Sequence, residues 1–213
     1  MDFRGVLLFA TALLAIMNPI SSAVLFAATA GRFRIEVQSA MAYQSALSIL
    51  IILLICSWIG QFLLQVLGIT VPMLQAAGGL ILLVNGMRMV TVEESKLTQA
   101  EQDSVDDVPE SRWKTLAVVP IAIPGTVGAG TITTVIVQST TYGRWLDMAI
   151  ISLVAVIASL VMWATFRSAT PIARRLGPIG LNIATRIMGI LVTATAFGLL
   201  TRGIAGLLPG LAG

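Results

Sequence analysis

The hydrophobic positions of this chain fall into long, nearly uninterrupted runs, and the polar residues gather in the gaps between them. Six runs approach or exceed the ~20 largely apolar residues that an α-helix needs to cross the hydrocarbon core of a bilayer. They cover roughly 6–28, 39–63, 71–90, 115–139, 147–166 and 181–204. The pattern predicts an all-α integral membrane protein with six transmembrane helices, built as a single membrane domain of residues 1–213. One strongly polar stretch, 91–114, separates the third run from the fourth and carries Glu93, Glu94, Glu101, Asp103, Asp106, Asp107 and Glu110. It holds too few apolar residues to fold alone and is expected to be a solvated acidic loop. The loop divides the chain into 1–90 and 115–213, three crossings on each side. Three is odd, so equivalent halves would run through the membrane in opposite directions, as two inverted three-helix repeats.

Two runs, the first and the fourth, are themselves interrupted. The first interruption is Met17-Asn18-Pro19-Ile20-Ser21-Ser22, and the second is Ile123-Pro124-Gly125-Thr126-Val127-Gly128-Ala129-Gly130. Pro19 has no N–H to donate and its ring displaces the carbonyl of Ala15; Pro120 and Pro124 do the same to the carbonyls of Leu116 and Pro120. Helices 1 and 4 are therefore expected to break near the midplane. Backbone groups freed inside hydrocarbon must find partners, so such breaks persist only where they are packed in protein or line a wet cavity. Paired interruptions in corresponding halves point to a substrate site. The candidate binding residues are Asn18, Pro19, Ser21 and Ser22 at the first break and Pro124, Gly125, Thr126, Gly128, Gly130 and Thr131 at the second. Where a half-helix restarts, unpaired N–H groups and the helix dipole favour an anionic group such as a carboxylate. Glycines there let a ligand approach the backbone closely. The stretch lacks the Gly-Lys-Ser/Thr ending of a phosphate-binding loop. A small zwitterionic or anionic solute with an uncharged side chain is the expected ligand.

Composition sharpens this picture. Hydrophobic residues make up 57% of the chain and charged residues 11%, against ~25% charged in soluble domains, and the mean hydropathy is +0.94. There is no histidine, which removes His-based metal sites and Ser-His or Cys-His catalysis. No acidic residue lies well inside a run, and Asp147 stands at the start of the fifth. No enzymatic activity, resident metal or cofactor is expected. A coupling proton or sodium ion would have to use carbonyls, hydroxyls or the substrate itself. Arg186, near the start of the sixth run, is the one charged residue placed to reach the interior, unless it serves as an interfacial anchor. The net charge of +3 is spread over segment ends with no basic cluster interleaved with aromatics, so the expected partner is the bilayer and not nucleic acid. Ten of the thirteen Lys and Arg residues fall on the side of the acidic loop. The positive-inside rule then places that loop in the cytoplasm and both termini outside. Gly78, Gly79 and Gly189 read as close-packing positions, within the monomer or between copies in a homo-oligomer.

The order of motifs resembles the MarC family of bacterial inner-membrane proteins, over nearly the whole chain. The resemblance rests on Asn18-Pro19; on Ile69-Thr70-Val71-Pro72 leading to Ala77-Gly78-Gly79 and Gly86-Met87-Arg88-Met89; on Val119-Pro120-Ile121-Ala122-Ile123-Pro124 followed by Gly128-Ala129-Gly130-Thr131-Ile132; and on Gly177 to Gly180 with Arg186-Ile187-Met188-Gly189. It departs at Ala129, where the family pattern carries a proline between the two glycines. The resemblance implies a six-helix inner-membrane transporter of neutral amino acids, related to exporters of the lysine-exporter type. The combined expectation is a secondary transporter of small neutral amino acids or similar metabolites working by alternating access. The alternative is a non-transporting assembly or partner-binding protein acting through the acidic loop.

Overall fold

The computed structural model describes residues 2–91, 113–142, 144–208 and 210, and the described residues form helices joined by short turns. The acidic loop expected at 91–114 falls almost wholly outside them. Five spans are long and apolar enough to cross a membrane: Phe3–Ala30, Ile35–Leu67, Val71–Thr91, Trp145–Gly177 and Ile179–Leu207. The fourth expected crossing is present as shorter pieces, so the described residues hold five spanning helices and one divided segment where six runs predict six helices.

The first span consists of α1 (Phe3–Met17) and α2 (Pro19–Ala30). Asp2 caps α1 by accepting a hydrogen bond from the Gly5 N–H at 3.0 Å. Helix α3 (Ile35–Leu67) ends at Gly68, whose φ of 67° is a left-handed conformation that glycine adopts without steric cost. Helix α4 (Val71–Thr91) follows directly. The divided segment begins with α5 (Trp113–Leu116), runs through an irregular stretch, Ala117–Thr126, and restarts as α6 (Ala129–Thr141). Helices α7 (Trp145–Gly177) and α8 (Ile179–Leu207) meet at a corner where Gly177 takes φ 63°. At 33 residues each, α3 and α7 are ~50 Å long by the α-helical rise and overshoot the hydrocarbon core. Their polar ends remain helical outside the apolar runs, which is why the expected 39–63 and 147–166 were too short.

The long spans pack in antiparallel pairs. Helices α3 and α7 lie antiparallel, joined by Trp58 Nε1 donating to Ser152 Oγ at 3.0 Å, Arg167 to Ser39 Oγ at 2.6 Å and Thr170 Oγ1 to Gln38 Oε1 at 2.9 Å. Helices α4 and α8 are also antiparallel and approach backbone to backbone: a Cβ at Gly79 would meet Leu200, and one at Gly203 would meet Ala76. Gly86 and Gly189 face each other in the same seam. The close-packing reading of Gly78, Gly79 and Gly189 therefore holds, Gly78 packing on Thr133 of α6. The buried core gathers Leu13, Met17, Met41, Ile49, Ile121, Ile151 and Met162 from α1, α3, the irregular stretch and α7. Phe26 of α2 stacks on Phe166 of α7 with ring centroids 5.0 Å apart. Outward-facing residues such as Leu153, Ile157, Leu160 and Ile190 are apolar and exposed, as a lipid-facing surface requires.

Candidate functional site

The two breaks form by different local chemistry. At the first, Asn18 alone among the described non-glycine residues has a positive φ, 49° with ψ 74°. Asparagine tolerates this left-handed conformation better than most residues because its short side chain can bond locally. Here Asn18 Oδ1 accepts from the Ser21 N–H at 3.2 Å, and Pro19 opens α2 at the position where a missing N–H costs least. The Asn18 carbonyl accepts from the Ser22 N–H at 3.0 Å. At the second break, Val119 (φ −128°, ψ 120°) and Ile123 (φ −128°, ψ 127°) are extended. Each immediately precedes a proline, whose ring bars the α-region to its predecessor. Gly128 continues extended and opens α6 with no side-chain cap.

Hydroxyl groups satisfy the carbonyls that these breaks release. Ser22 Oγ donates to the Met17 carbonyl at 3.0 Å. Ser45 Oγ of α3 donates to the Ala117 carbonyl at 2.8 Å. Thr126 Oγ1 lies 3.2 Å from Ser22 Oγ and 3.0 Å from the Ile121 carbonyl, so its single hydrogen is shared between them. Thr131 Oγ1 donates to the Thr126 carbonyl at 3.3 Å. The Ser22–Thr126 contact joins residues 104 apart in sequence and ties one break to the other.

Between the breaks lies a cavity of about 470 Å³, within the ~300–1,000 Å³ usual for small-molecule sites. Of the residues singled out from sequence, Asn18, Ser21, Gly125, Thr126, Gly128, Gly130 and Thr131 line it. Ser22 is buried behind them, bonded to both breaks, and Pro19 opens α2 without lining the cavity. Pro124 occupies the irregular stretch directly before Gly125. Gly130 also serves packing, since a Cβ there would meet the Leu82 side chain at 2.9 Å. Arg186 is exposed and does not reach the cavity; its neighbour Thr185, one residue around α8, does.

The structure adds lining residues that were not among the binding candidates from sequence. Asn85, Arg88 and Met89 of α4 line the cavity, and Met89 Sδ receives a long hydrogen bond, 3.6 Å, from Asn18 Nδ2. Their i, i+3, i+4 spacing puts all three on one helix face and was the available signal. Arg88 is the one charged side chain among the described lining residues, and no described carboxylate pairs with it. Together with the uncapped start of α6 it makes the cavity electropositive.

Residues 3–208 match the profile described as MarC family integral membrane protein. The UPF0056 membrane protein BU267 of Buchnera aphidicola is 30% identical over 203 residues, covering 95% of this chain and 93% of its own. The UPF0056 inner membrane protein MarC of Escherichia coli O139:H28 is 28% identical over 212 residues, 95% of each chain, and its Shigella flexneri counterpart matches equally. No solved structure matches the chain. The spanning helices and these relatives make it a multi-pass inner-membrane protein. The chain belongs to the MarC family of integral membrane proteins.

Proposed function

We propose that this protein is a secondary transporter for small neutral amino acids or closely similar carboxylate-bearing metabolites. The observation that carries the reading is the shared cavity: both helix breaks and Arg88, which pairs with no carboxylate among the described residues, border the same space. The Arg88 guanidinium and the open start of α6 take the carboxylate, charge-assisted hydrogen bonds being about twice as strong as neutral ones. Ile16, Val24 and Leu25 offer apolar wall to a small side chain. The cavity's described lining contains no carboxylate to pair with a cationic side chain, which disfavours basic amino acids.

Alternating access of two inverted halves is the mechanism we favour. In each half a broken segment is followed by a 33-residue span and then by a third helix, and equivalent members pack antiparallel on one another. This is the relation a pseudo-two-fold axis in the membrane plane would impose. In this reading the termini face outward and the 91–114 loop faces the cytoplasm, following the positive-inside bias. A coupling proton or sodium ion would be held by hydroxyls and freed carbonyls such as those around Thr126. The test is uptake of labelled amino acids into proteoliposomes, with Gly125→Val as the blocked control. Saturable uptake of glycine, alanine or serine that the variant abolishes is expected. No uptake under any imposed proton or sodium gradient would overturn the transport reading.

A further inference from the structure

A second cavity, of about 600 Å³, lies away from the breaks, where the α2–α3 corner meets the end of α7. Phe33, Ile35 and Gln38 border it on one side; Thr170, Arg174 and Arg175 border it on the other. Five arginines crowd this corner, and three are engaged. Arg32 stacks over Phe33 at 4.8 Å, Arg34 pairs with Glu36 at 3.6 Å, and Arg167 bonds Ser39 and lies over Trp163 at 5.6 Å. Arg174 and Arg175, the two that line the cavity, have no ion-pair partner among the described residues.

We propose that this cavity binds the phosphate of an anionic phospholipid headgroup. Two guanidiniums on successive helix positions repel one another, and a phosphate lying between them relieves this while accepting bidentate hydrogen bonds. The two walls are pinned together, because Thr170 donates to Gln38 at 2.9 Å and Gln38 Nε2 donates to the Phe33 carbonyl at 2.8 Å. The part of α7 that carries the arginines is therefore held against the apolar wall without waiting for a ligand. Phe33 and Ile35 supply that wall, which suits the glycerol and upper acyl chain of a lipid and has no use for free phosphate. The setting agrees: Arg174 and Arg175 follow the apolar part of α7 by two turns, at headgroup depth. Basic pockets between membrane helices on the positively charged side are recurrent sites for acidic lipid headgroups.

The test is native mass spectrometry of the full-length protein in neutral detergent, titrated separately with phosphatidylglycerol, phosphatidylcholine and soluble glycerol 3-phosphate. Wild type should retain phosphatidylglycerol in preference to phosphatidylcholine, with glycerol 3-phosphate competing weakly. The double variant Arg174→Gln/Arg175→Gln should lower the apparent phosphatidylglycerol affinity at least about tenfold. Arg174→Lys/Arg175→Lys, which keeps the charge and loses the planar fork, should fall between. Arg144→Gln, at the opposite end of α7, should leave binding unchanged, and unaltered thermal melting of the variants shows that they fold. Equal retention of the two lipids, or equal losses in the double variant and Arg144→Gln, overturns the site. Full competition by glycerol 3-phosphate overturns the lipid assignment.

Discussion

The first and second helix breaks interrupt the first and fourth apolar runs and face one cavity, yet they are built on opposite plans. The first is closed from within. One residue, Asn18, supplies the left-handed turn and the cap of the next helix, so α1 and α2 are separated by a single position. The second is opened by two prolines and spreads over Ala117–Thr126; Ser45 of α3 satisfies its Ala117 carbonyl from outside, while its own Thr126 bonds the Ile121 carbonyl and reaches Ser22 Oγ at the first break. Its following helix begins uncapped at Gly128. Two breaks that border one cavity are thus held by different chemistry. In the transport reading proposed above, the sealed break serves as a scaffold and the open one holds the donors for a substrate carboxylate.

The largest effect should come from the charge that faces the open break. Arg88→Gln removes a charge-assisted interaction worth about 1.5–3 kcal/mol, so the KM for a transported amino acid should rise roughly tenfold to a hundredfold, with kcat less affected. Uptake kinetics with an unchanged KM would break the assignment of the carboxylate to this side. Next is Asn18→Ala, which loses the cap at ~1 kcal/mol and places a disfavoured residue in the left-handed region at a further ~1 kcal/mol. Asn18→Gly keeps the backbone freedom and should cost less; melting curves that show the two variants equal would mean that the turn geometry is not what Asn18 provides.

Gly130→Ala drives a methyl against Leu82 and should lower stability by about 1 kcal/mol, at the low end for overpacking. Pairing it with Leu82→Ala should relieve the clash, and a double-mutant cycle without coupling would contradict the contact. The smallest effect, and the sharpest for the comparison, is Gly128→Ser. It gives the open helix a cap like that of the sealed one, which should stabilise by a few tenths of a kcal/mol while weakening substrate binding. Stability and affinity rising together would erase the distinction between the two breaks.

The six apolar runs and both breaks were legible in the sequence because each rests on local chemistry: run length against bilayer thickness, and proline against the helix ladder. Val119 and Ile123 are extended for the same local reason, each standing before a proline. The ends of α3 and α7 were not legible, because helix outside the hydrocarbon needs no apolar residues. Nor was the asymmetry of the breaks, since the meeting of the Ala117 carbonyl with Ser45, and of the Thr126 hydroxyl with Ser22, depends on packing between distant segments. Arg88 and Arg186 show the limit most clearly. Both read as charges near segment ends, but only Arg88 turns toward the cavity, because its face of α4 meets Asn18 through Met89. Arg186 sits one residue from the lining position Thr185, and that rotation about α8 leaves it outside.

The most direct test of the central claim, that both breaks bound one substrate site, is cysteine protection. Cys56 is the single native cysteine, so a Cys56→Ser background can carry Ser21→Cys or Gly128→Cys, one from each break. Labelling by a small methanethiosulfonate reagent would be followed while glycine, alanine or serine is titrated in. Protection of both positions at the same half-saturating concentration is the predicted result. Protection of only one position, or of neither under conditions that support uptake, would contradict the shared site.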